Sequence, residues 1–160
     1  MDYKNNFEGR AEREIKVSRI IDAPRDVVFD AFLDAEHISE WWGPNGFTTT
    51  IHHMDAKPGG SWKFIMHGPD GTDFPNYIQY VDIKKPEIIV YHNGSKENDP
   101  EQFESATILE EVGESTRVIL YHLFASAKVR QEMIKFGALE GGKETLERLS
   151  ELLEKRQMAM

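Results

Sequence analysis

The fold is decided by the stretch Ser126–Lys155, which reads SAKVRQEMIKFGALEGGKETLERLSELLEK. Its apolar residues recur three or four positions apart with one gap, which is the pattern of a helix that buries a single stripe. These residues are Val129, Met133, Phe136, Leu146, Leu149 and Leu153. As one helix the stretch would be ~45 Å long. The pattern predicts a long C-terminal helix that is firmly packed at its C-terminal end and covers a hollow nearer its start.

The gap in this stripe contains the pair Gly141-Gly142. A glycine inside a helix costs ~1 kcal/mol relative to alanine. One alternative is that the missing side chains enlarge a cavity beside the helix. The other is that they let a sheet residue, such as a tryptophan, approach the helix closely. The sequence leaves both alternatives open.

The chain before this stretch begins with a strand and two short helices. From Glu14 apolar residues alternate with more polar ones as far as Ile21, which predicts a β-strand. Pro24 suits the first position of a helix that extends to about Asp34. A second short helix, Glu36–Trp42, ends at a cluster of turn residues.

Six further strands are predicted between these helices and the C-terminal stretch, at Phe47–Met54, Gly60–His67, Phe74–Ile83, Glu87–His92, Phe103–Val112 and Thr116–Phe124. Short connections between consecutive strands imply antiparallel hairpins. Such a sheet has one face to bury, and the C-terminal helix is the only predicted element large enough to cover it. The order therefore predicts an α+β fold, in which a curved antiparallel sheet of about seven strands surrounds the long C-terminal helix and leaves a cavity between them.

Composition limits the class of protein. At 160 residues the chain suits one domain, and we expect a flexible N-terminal arm over residues 1–13 and a single domain over residues 14–156. The sequence has no cysteine, no apolar run long enough to span a membrane and no apolar signal segment. Its 19 basic and 28 acidic side chains give a net charge of −9, which disfavours nucleic acid and anionic membranes as partners. These features predict a cytoplasmic protein.

Five motifs occur in an order that resembles a known family. They are Ile20-Ile21-Asp22-Ala23-Pro24, Trp41-Trp42-Gly43, Pro58-Gly59-Gly60-Ser61-Trp62, Met66-His67-Gly68-Pro69-Asp70-Gly71 and the segment Gly141–Leu149. Together they resemble the Hsp90-ATPase-activator-homologue-like branch of the START-like (SRPBCC) superfamily, over roughly residues 14–154. The resemblance implies a helix-grip fold, also called Bet v 1-like, with a cavity between the sheet and the last helix. Members of the superfamily bind lipids, hormones and polyketides, and some are cyclases or hydroxylase components.

A ligand cavity between the sheet and the helix segment Met133–Gly142 would be mostly apolar, with one or two polar groups. In the strand Gly60–His67 the alternate residues Trp62, Phe64 and Met66 form the apolar set, which we expect to face inward. The full set predicted to line the cavity and bind the ligand is Trp42, Trp62, Phe64, Met66, Tyr80, His122, Phe124, Met133 and Phe136.

The adjacent tryptophans Trp41 and Trp42 allow two interpretations. They could form a gate at the mouth of the cavity, since a tryptophan buries a large area and keeps a polar edge. Alternatively, one is part of the core and the other is half exposed.

The imidazole of His122 also allows two interpretations, because alternation along its strand points it inward with Leu120 and Phe124. It could hold a ligand oxygen or act as a general acid or base. Alternatively, it is a core histidine that is satisfied by a neighbouring hydrogen-bonding group.

No cofactor or metal is predicted. His52 and His53 are adjacent on a strand and should point to opposite faces, so they should not bind one ion together. The run Gly68-Pro69-Asp70-Gly71 is followed by a strand rather than by Lys-Ser/Thr and a helix, which predicts a hairpin turn rather than a phosphate-binding loop. No set of serine, histidine and acid can be singled out as a catalytic triad.

Three functions remain as hypotheses. The first is a domain that binds a small hydrophobic or aromatic molecule. The second is an interaction module, either chaperone-linked or a homodimer, that uses a sheet edge or an exposed tryptophan, tested at Trp41. The third is a cyclase or hydrolase acting on an aromatic or polyketide-like substrate, with His122 and a tyrosine as its functional groups. We favour the first, and leave a chaperone partner open.

Overall fold

The computed structural model describes residues 11–158, so most of the N-terminal arm predicted for residues 1–13 lies outside the described residues. The order of elements is β1 Glu14–Ile21, α1 Arg25–Leu33, α2 Ala35–Trp41, β2 Thr48–Met54, β3 Ser61–His67, β4 Asp73–Lys84, β5 Ile88–Gly94, β6 Phe103–Val112, β7 Ser115–Leu123, α3 Ala127–Lys135 and α4 Ala138–Met158. Every predicted strand and both short helices are present.

The seven strands form one antiparallel sheet in the order β1-β7-β6-β5-β4-β3-β2. Strands β2 to β7 therefore form a meander, and β1 joins its far side beside β7. Helices α1, α2 and α4 pack on the concave face of this sheet. This arrangement confirms the predicted fold of a curved antiparallel sheet around a C-terminal helix.

The C-terminal half of α4 anchors the helix to the sheet. Leu146, Leu149 and Leu153 are at most 3% exposed and belong to the main core cluster, together with Ile15 and Val17 of β1. Full burial of each leucine contributes roughly 2 kcal/mol of transfer free energy. The firmly packed end that the stripe predicts is therefore confirmed.

The prediction of one continuous C-terminal helix is wrong, because the helix breaks at Gly137. Helix α3 ends before Phe136, and α4 begins at Ala138. Gly137 has a φ of +89°, the left-handed conformation with which helices commonly end at a glycine. The break turns Phe136 into solvent, where it is 88% exposed, so the prediction that Phe136 roofs a cavity is also wrong.

The pair Gly141-Gly142 lies inside α4 and permits close approach. A Cβ atom on Gly142 would lie 3.0 Å from Cγ2 of Val17 on β1, and one on Gly141 would lie 3.3 Å from Cγ of Pro44. These distances are too short for ordinary side-chain contact. The structure thus favours the close-approach alternative, with Val17 in the place where a tryptophan was suggested.

Replacing Gly137 with alanine is expected to lower the free energy of unfolding by about 1–2 kcal/mol, because a Cβ atom strains the left-handed conformation. A Cβ atom there would meet no other atom within 4 Å, so the loss isolates the backbone effect. Urea unfolding followed by far-UV circular dichroism measures it. The exposed neighbour Phe136, changed to alanine, is the control and should stay within about 0.5 kcal/mol of the parent. Equal stability of Gly137→Ala and the parent would show that the break does not need the left-handed turn.

Among residues 11–158, no helix combines the length and the apolar character that crossing a bilayer requires.

Candidate ligand-binding site

An aromatic cluster forms one wall of the interior near the end of α2. The rings of Trp62 and Phe64 on β3 stack with centroids 3.9 Å apart and an interplanar angle of 20°. Trp42, which follows α2 directly, meets Trp62 edge-on at 5.3 Å. Alternation along β3 thus brings its apolar set to the helices, as the sequence predicts.

The two adjacent tryptophans have different environments. Trp41 is 0% exposed, and its Nε1 donates a hydrogen bond to the carbonyl of Ala31 over 3.2 Å. Trp42 is only partly buried. In their burial the two residues match the interpretation with one core and one half-exposed tryptophan, and the gate interpretation stays open for Trp42 alone. The choice of Trp41 as an exposed interaction residue is wrong, because the last turn of α2 points its indole into the core.

A cavity of about 20 Å³ lies between the two short helices and strands β3 to β6. Its lining residues are Phe32, Ile38, Trp42, Trp62, Ile78, Tyr80, Ile89, Tyr91 and Thr107. This volume holds about one water molecule. Eight of the nine lining residues are at most 4% exposed, and Trp42 is the exception. The cavity is thus closed on every side except the one that Trp42 covers.

Two of the residues that line this cavity carry a buried hydrogen-bond donor without a partner. Nε1 of Trp62 and the hydroxyl of Tyr91 make no hydrogen bond to any described residue, although these residues are only 2% and 3% exposed. A buried polar group without a partner costs about 1–3 kcal/mol. The fold therefore tolerates two unfavourable groups on residues that line the same cavity. A ligand that accepts hydrogen bonds from them would explain this feature.

Burial keeps both cavity tyrosines protonated at neutral pH. Burial raises the pKa of Tyr91, while the nearby hydroxyls of Thr107 and Ser105 lower it to a smaller extent without forming a well-oriented hydrogen bond with it. Burial also raises the pKa of Tyr80, and the neighbouring Tyr91 raises it further. Each phenol therefore retains its O–H group and can act as a donor.

A row of polar side chains extends from this cavity across the concave face. Strand register places Tyr80 opposite Tyr91, Tyr91 opposite Ser105, and Ser105 opposite His122. Nδ1 of His122 lies 2.7 Å from Oγ of Ser105, and burial lowers the pKa of His122 to about 4. The imidazole is therefore neutral at physiological pH. Its hydrogen bond to Ser105 agrees with the alternative in which His122 is satisfied by a neighbouring hydrogen-bonding group.

The structure does not bring the nine predicted ligand-binding residues into one pocket. Trp42, Trp62 and Tyr80 line the cavity, and Phe64 stacks on Trp62. The remaining five lie elsewhere and are Met66, His122, Phe124, Met133 and Phe136. Of these, Met66 packs beneath Gly43, and His122 and Phe124 contact the ring of Phe103. Binding of a ligand by any of the nine stays a prediction.

The sequence predicted a cavity under the segment Met133–Gly142, but the cavity lies under the two short helices. The reason is that the backbone of α4 at Gly142 rests directly on Val17, which leaves no space between helix and sheet there. The other six lining residues, among them Tyr91 and Thr107, were not predicted from the sequence. Alternation in β5 and β6 groups their residues by face, but the inward face becomes known only from the pairing of these strands with β4 and β7.

On the opposite, convex face, His53 is exposed and His67 is half-buried. His67 joins Thr50 through Nε2 at 2.7 Å and Asp73 through Nδ1 at 2.6 Å, which links β2, β3 and β4. A β-bulge between Ile51 and His53 interrupts the alternation on which the opposite placement of His52 and His53 was predicted, and both residues are exposed. Within residues 11–158, no three side chains of His, Asp or Glu are grouped as metal ligands.

A curved seven-stranded sheet that holds a C-terminal helix on its concave face defines the class of helix-grip domains. The particular family follows from the sequence match. The family model described as "Activator of Hsp90 ATPase homolog 1-like protein" matches residues 22–154, most of the chain, and the protein belongs to this family. No curated protein matches the chain.

Solved structures from several bacteria have the same fold. A protein from Nitrosomonas europaea superposes with a TM-score of 0.81 at 20% identity and covers 92% of this chain and 98% of its own. A protein from Mycobacterium smegmatis has a TM-score of 0.83 at 22% identity, covering 92% and 94%. One from Arthrobacter aurescens has a TM-score of 0.82 at 23% identity, covering 92% and 90%. These similarities show the fold alone. The predicted homodimer and chaperone partner stay predictions.

Proposed function

We propose that this protein is a binding domain for a small, mainly apolar molecule that carries a hydrogen-bond-accepting oxygen. The observation that carries the proposal is that two residues lining one aromatic cavity, Trp62 and Tyr91, each carry a buried donor without a partner, Nε1 and the phenolic hydroxyl. An indole N–H can only donate, so the group that satisfies it must be an acceptor. The helix-grip fold supports a ligand-binding or interaction domain in general.

The lining also indicates the charge of the ligand. None of the nine lining residues carries a charge at neutral pH, and the whole chain has a net charge of −9. Burying an unpaired carboxylate in such surroundings is strongly unfavourable. A neutral carbonyl oxygen, as in a ketone, aldehyde or ester, fits both the donors and the uncharged wall. Such a ligand is larger than the cavity volume of about 20 Å³, so its binding requires Trp42 to move.

Replacing Tyr91 with phenylalanine is expected to leave the free energy of unfolding unchanged or to raise it by about 1 kcal/mol, since it removes a buried group without a partner. The same change should weaken binding of acetophenone about tenfold, the value of one hydrogen bond. Ethylbenzene has nearly the same shape but no carbonyl, and its weaker binding should not change. Urea unfolding and ligand titration by tryptophan fluorescence measure the two effects.

Tyr121 provides the matched control on the convex side of the sheet. Its hydroxyl donates a hydrogen bond to the carboxylate of Glu14, so Tyr121→Phe should lower stability and leave acetophenone binding unchanged. The proposal is contradicted if the parent protein binds acetophenone no better than ethylbenzene. It is also contradicted if Tyr91→Phe destabilises the protein as Tyr121→Phe does, because Tyr91 would then have a structural hydrogen bond.

A further inference from the structure

Trp42 is the one residue among the nine that line the cavity that is also partly exposed to solvent. Its side chain is partly exposed, whereas the other eight are at most 4% exposed. On its inner side the indole contacts Trp62 at 5.3 Å and Phe64 at 6.5 Å. A ligand that reaches the unpartnered donors must therefore pass the place that Trp42 occupies.

Two side chains of the C-terminal helix, Arg148 and Glu144, hydrogen-bond the main chain around Trp42. Oε1 of Glu144 accepts from the N–H of Asn45 over 3.0 Å, and Oγ1 of Thr49 also donates to the carbonyl of Trp42 at 3.3 Å. Arg148 makes the larger number of these contacts. Nη1 of Arg148 donates to the carbonyls of Trp42 at 3.3 Å, Gly43 at 2.9 Å and Pro44 at 3.1 Å. Its Nη2 donates to the carbonyl of Glu40 at 3.2 Å. These carbonyls belong to the end of α2 and to the loop that follows, which we call the Trp42 loop (residues 42–46).

The chemistry of this contact explains why an arginine suits the position. The last carbonyls of a helix lack partners within the helix and carry partial negative charge, so a cation beside them is favourable. Helix α2 has no basic residue in its own last turn, and Arg148 supplies the charge from α4. The guanidinium offers several donors in a fixed plane, which lets one side chain hold four carbonyls.

We propose that Arg148 is a latch that holds the Trp42 loop closed, and that Trp42 is the door through which small ligands enter and leave the cavity. This inference rests on the proposed function for the identity of the cavity as a binding site. In this proposal Arg148 makes the same hydrogen bonds in the closed protein without ligand and in the closed protein with ligand bound. Weakening the latch should therefore speed both passages and leave the equilibrium affinity nearly unchanged.

The first test needs no ligand. Acrylamide quenching of tryptophan fluorescence should increase about twofold or more in Arg148→Met, because Trp42 spends more time away from the cavity. In a Trp42→Phe background the same substitution should have a smaller effect on quenching, because Trp62 in the cavity wall is then the indole that reports the opening. Arg148→Lys keeps the charge with fewer donors and should give an intermediate value, which guards against a fold that is lost in Arg148→Met.

Arg156→Met is the matched control for this test. Arg156 lies on the same helix and contacts the same short helix, but only through an ion pair of 2.8 Å between its Nη2 and Oε2 of Glu40. The substitution removes the same charge without releasing any loop carbonyl, so quenching should match the parent. Unchanged quenching in both Arg148 variants would overturn the latch. An equally large increase in the Trp42→Phe background would overturn the assignment of Trp42 as the door.

The second test uses acetophenone as the probe in stopped-flow fluorescence. Association and dissociation rates should both rise about tenfold in Arg148→Met, with the dissociation constant within about twofold of the parent. A faster dissociation alone would overturn the latch, because Arg148 would then contribute to the bound state only. If the parent protein does not bind acetophenone, the proposed function fails, and the quenching test still decides whether Arg148 holds Trp42.

Discussion

Replacing Trp41 with alanine is expected to lower the free energy of unfolding by about 3–5 kcal/mol, the cost of removing a large buried aromatic side chain. The indole is 0% exposed and meets the ring of Phe32 edge-on at 4.8 Å. The substitution leaves a large void under α1 and removes the donor that satisfies the carbonyl of Ala31. Urea unfolding measures the loss.

Trp42→Ala is the control for Trp41→Ala, since it deletes the same side chain one position along. It should cost less stability, because the side chain of Trp42 is already partly exposed. It should also open the cavity and increase binding and release rates of small ligands. Equal loss of stability in the two variants would contradict the different environments of the two indoles. A Trp41→Ala variant reports on folding and is unsuitable as a probe of a binding surface.

Lowering the pH from 6.5 to 4 is expected to reduce the free energy of unfolding by at most about 3 kcal/mol through His122 alone. Burial lowers the pKa of this histidine from 6.5 to about 4. Between these values the unfolded chain binds a proton and the folded protein does not, so stability falls as the pH falls. Above pH 6.5 both states are neutral at this site, and the contribution vanishes.

His122→Gln tests this origin of the pH dependence, because glutamine can hydrogen-bond to Ser105 but does not titrate. Urea unfolding at several pH values should show a shallower slope between pH 6.5 and 4 in this variant. An unchanged slope in His122→Gln would show that another group is responsible.

The loss of folding stability at still lower pH has a different source, Asp99, and can be distinguished from the effect of His122. The backbone N–H groups of Ser95 and Glu101 lower the pKa of Asp99 below 3.8. The stability that this carboxylate contributes is present above its unfolded pKa and is lost only as the pH falls through the lower folded value. The pH range over which Asp99 affects stability therefore lies below the range over which His122 does.

Local sequence patterns were sufficient to predict the seven strands and the two short helices of this fold. Alternation identified β1 to β7, and Pro24 marked the start of α1 within one residue. These features depend on neighbours in the chain, because the two faces of a strand follow from its period of two. The break at Gly137 was missed, since periodicity suggested one helix and a single glycine can also occur within a helix, as Gly141 and Gly142 do.

The candidate site depends on contacts between distant segments, and the sequence predicted it only in part. Trp42, Trp62 and Tyr80 of the predicted set line the cavity of the structure, although the cavity was expected under the segment Met133–Gly142. Tyr91 became a site residue only through its pairing with β4 and β6, which no local pattern encodes.

The sequence by itself determined that the C-terminal residues Leu146, Leu149 and Leu153 would anchor a helix to a curved antiparallel sheet. Only the tertiary structure decided that this helix approaches β1 closely through Gly142, which removes the hollow expected beneath it. It also decided that the cavity lies behind Trp42, whose loop is held by Arg148 from more than a hundred residues away in the chain. Periodicity specifies which residues become buried, whereas the packing of distant elements decides where space remains between them.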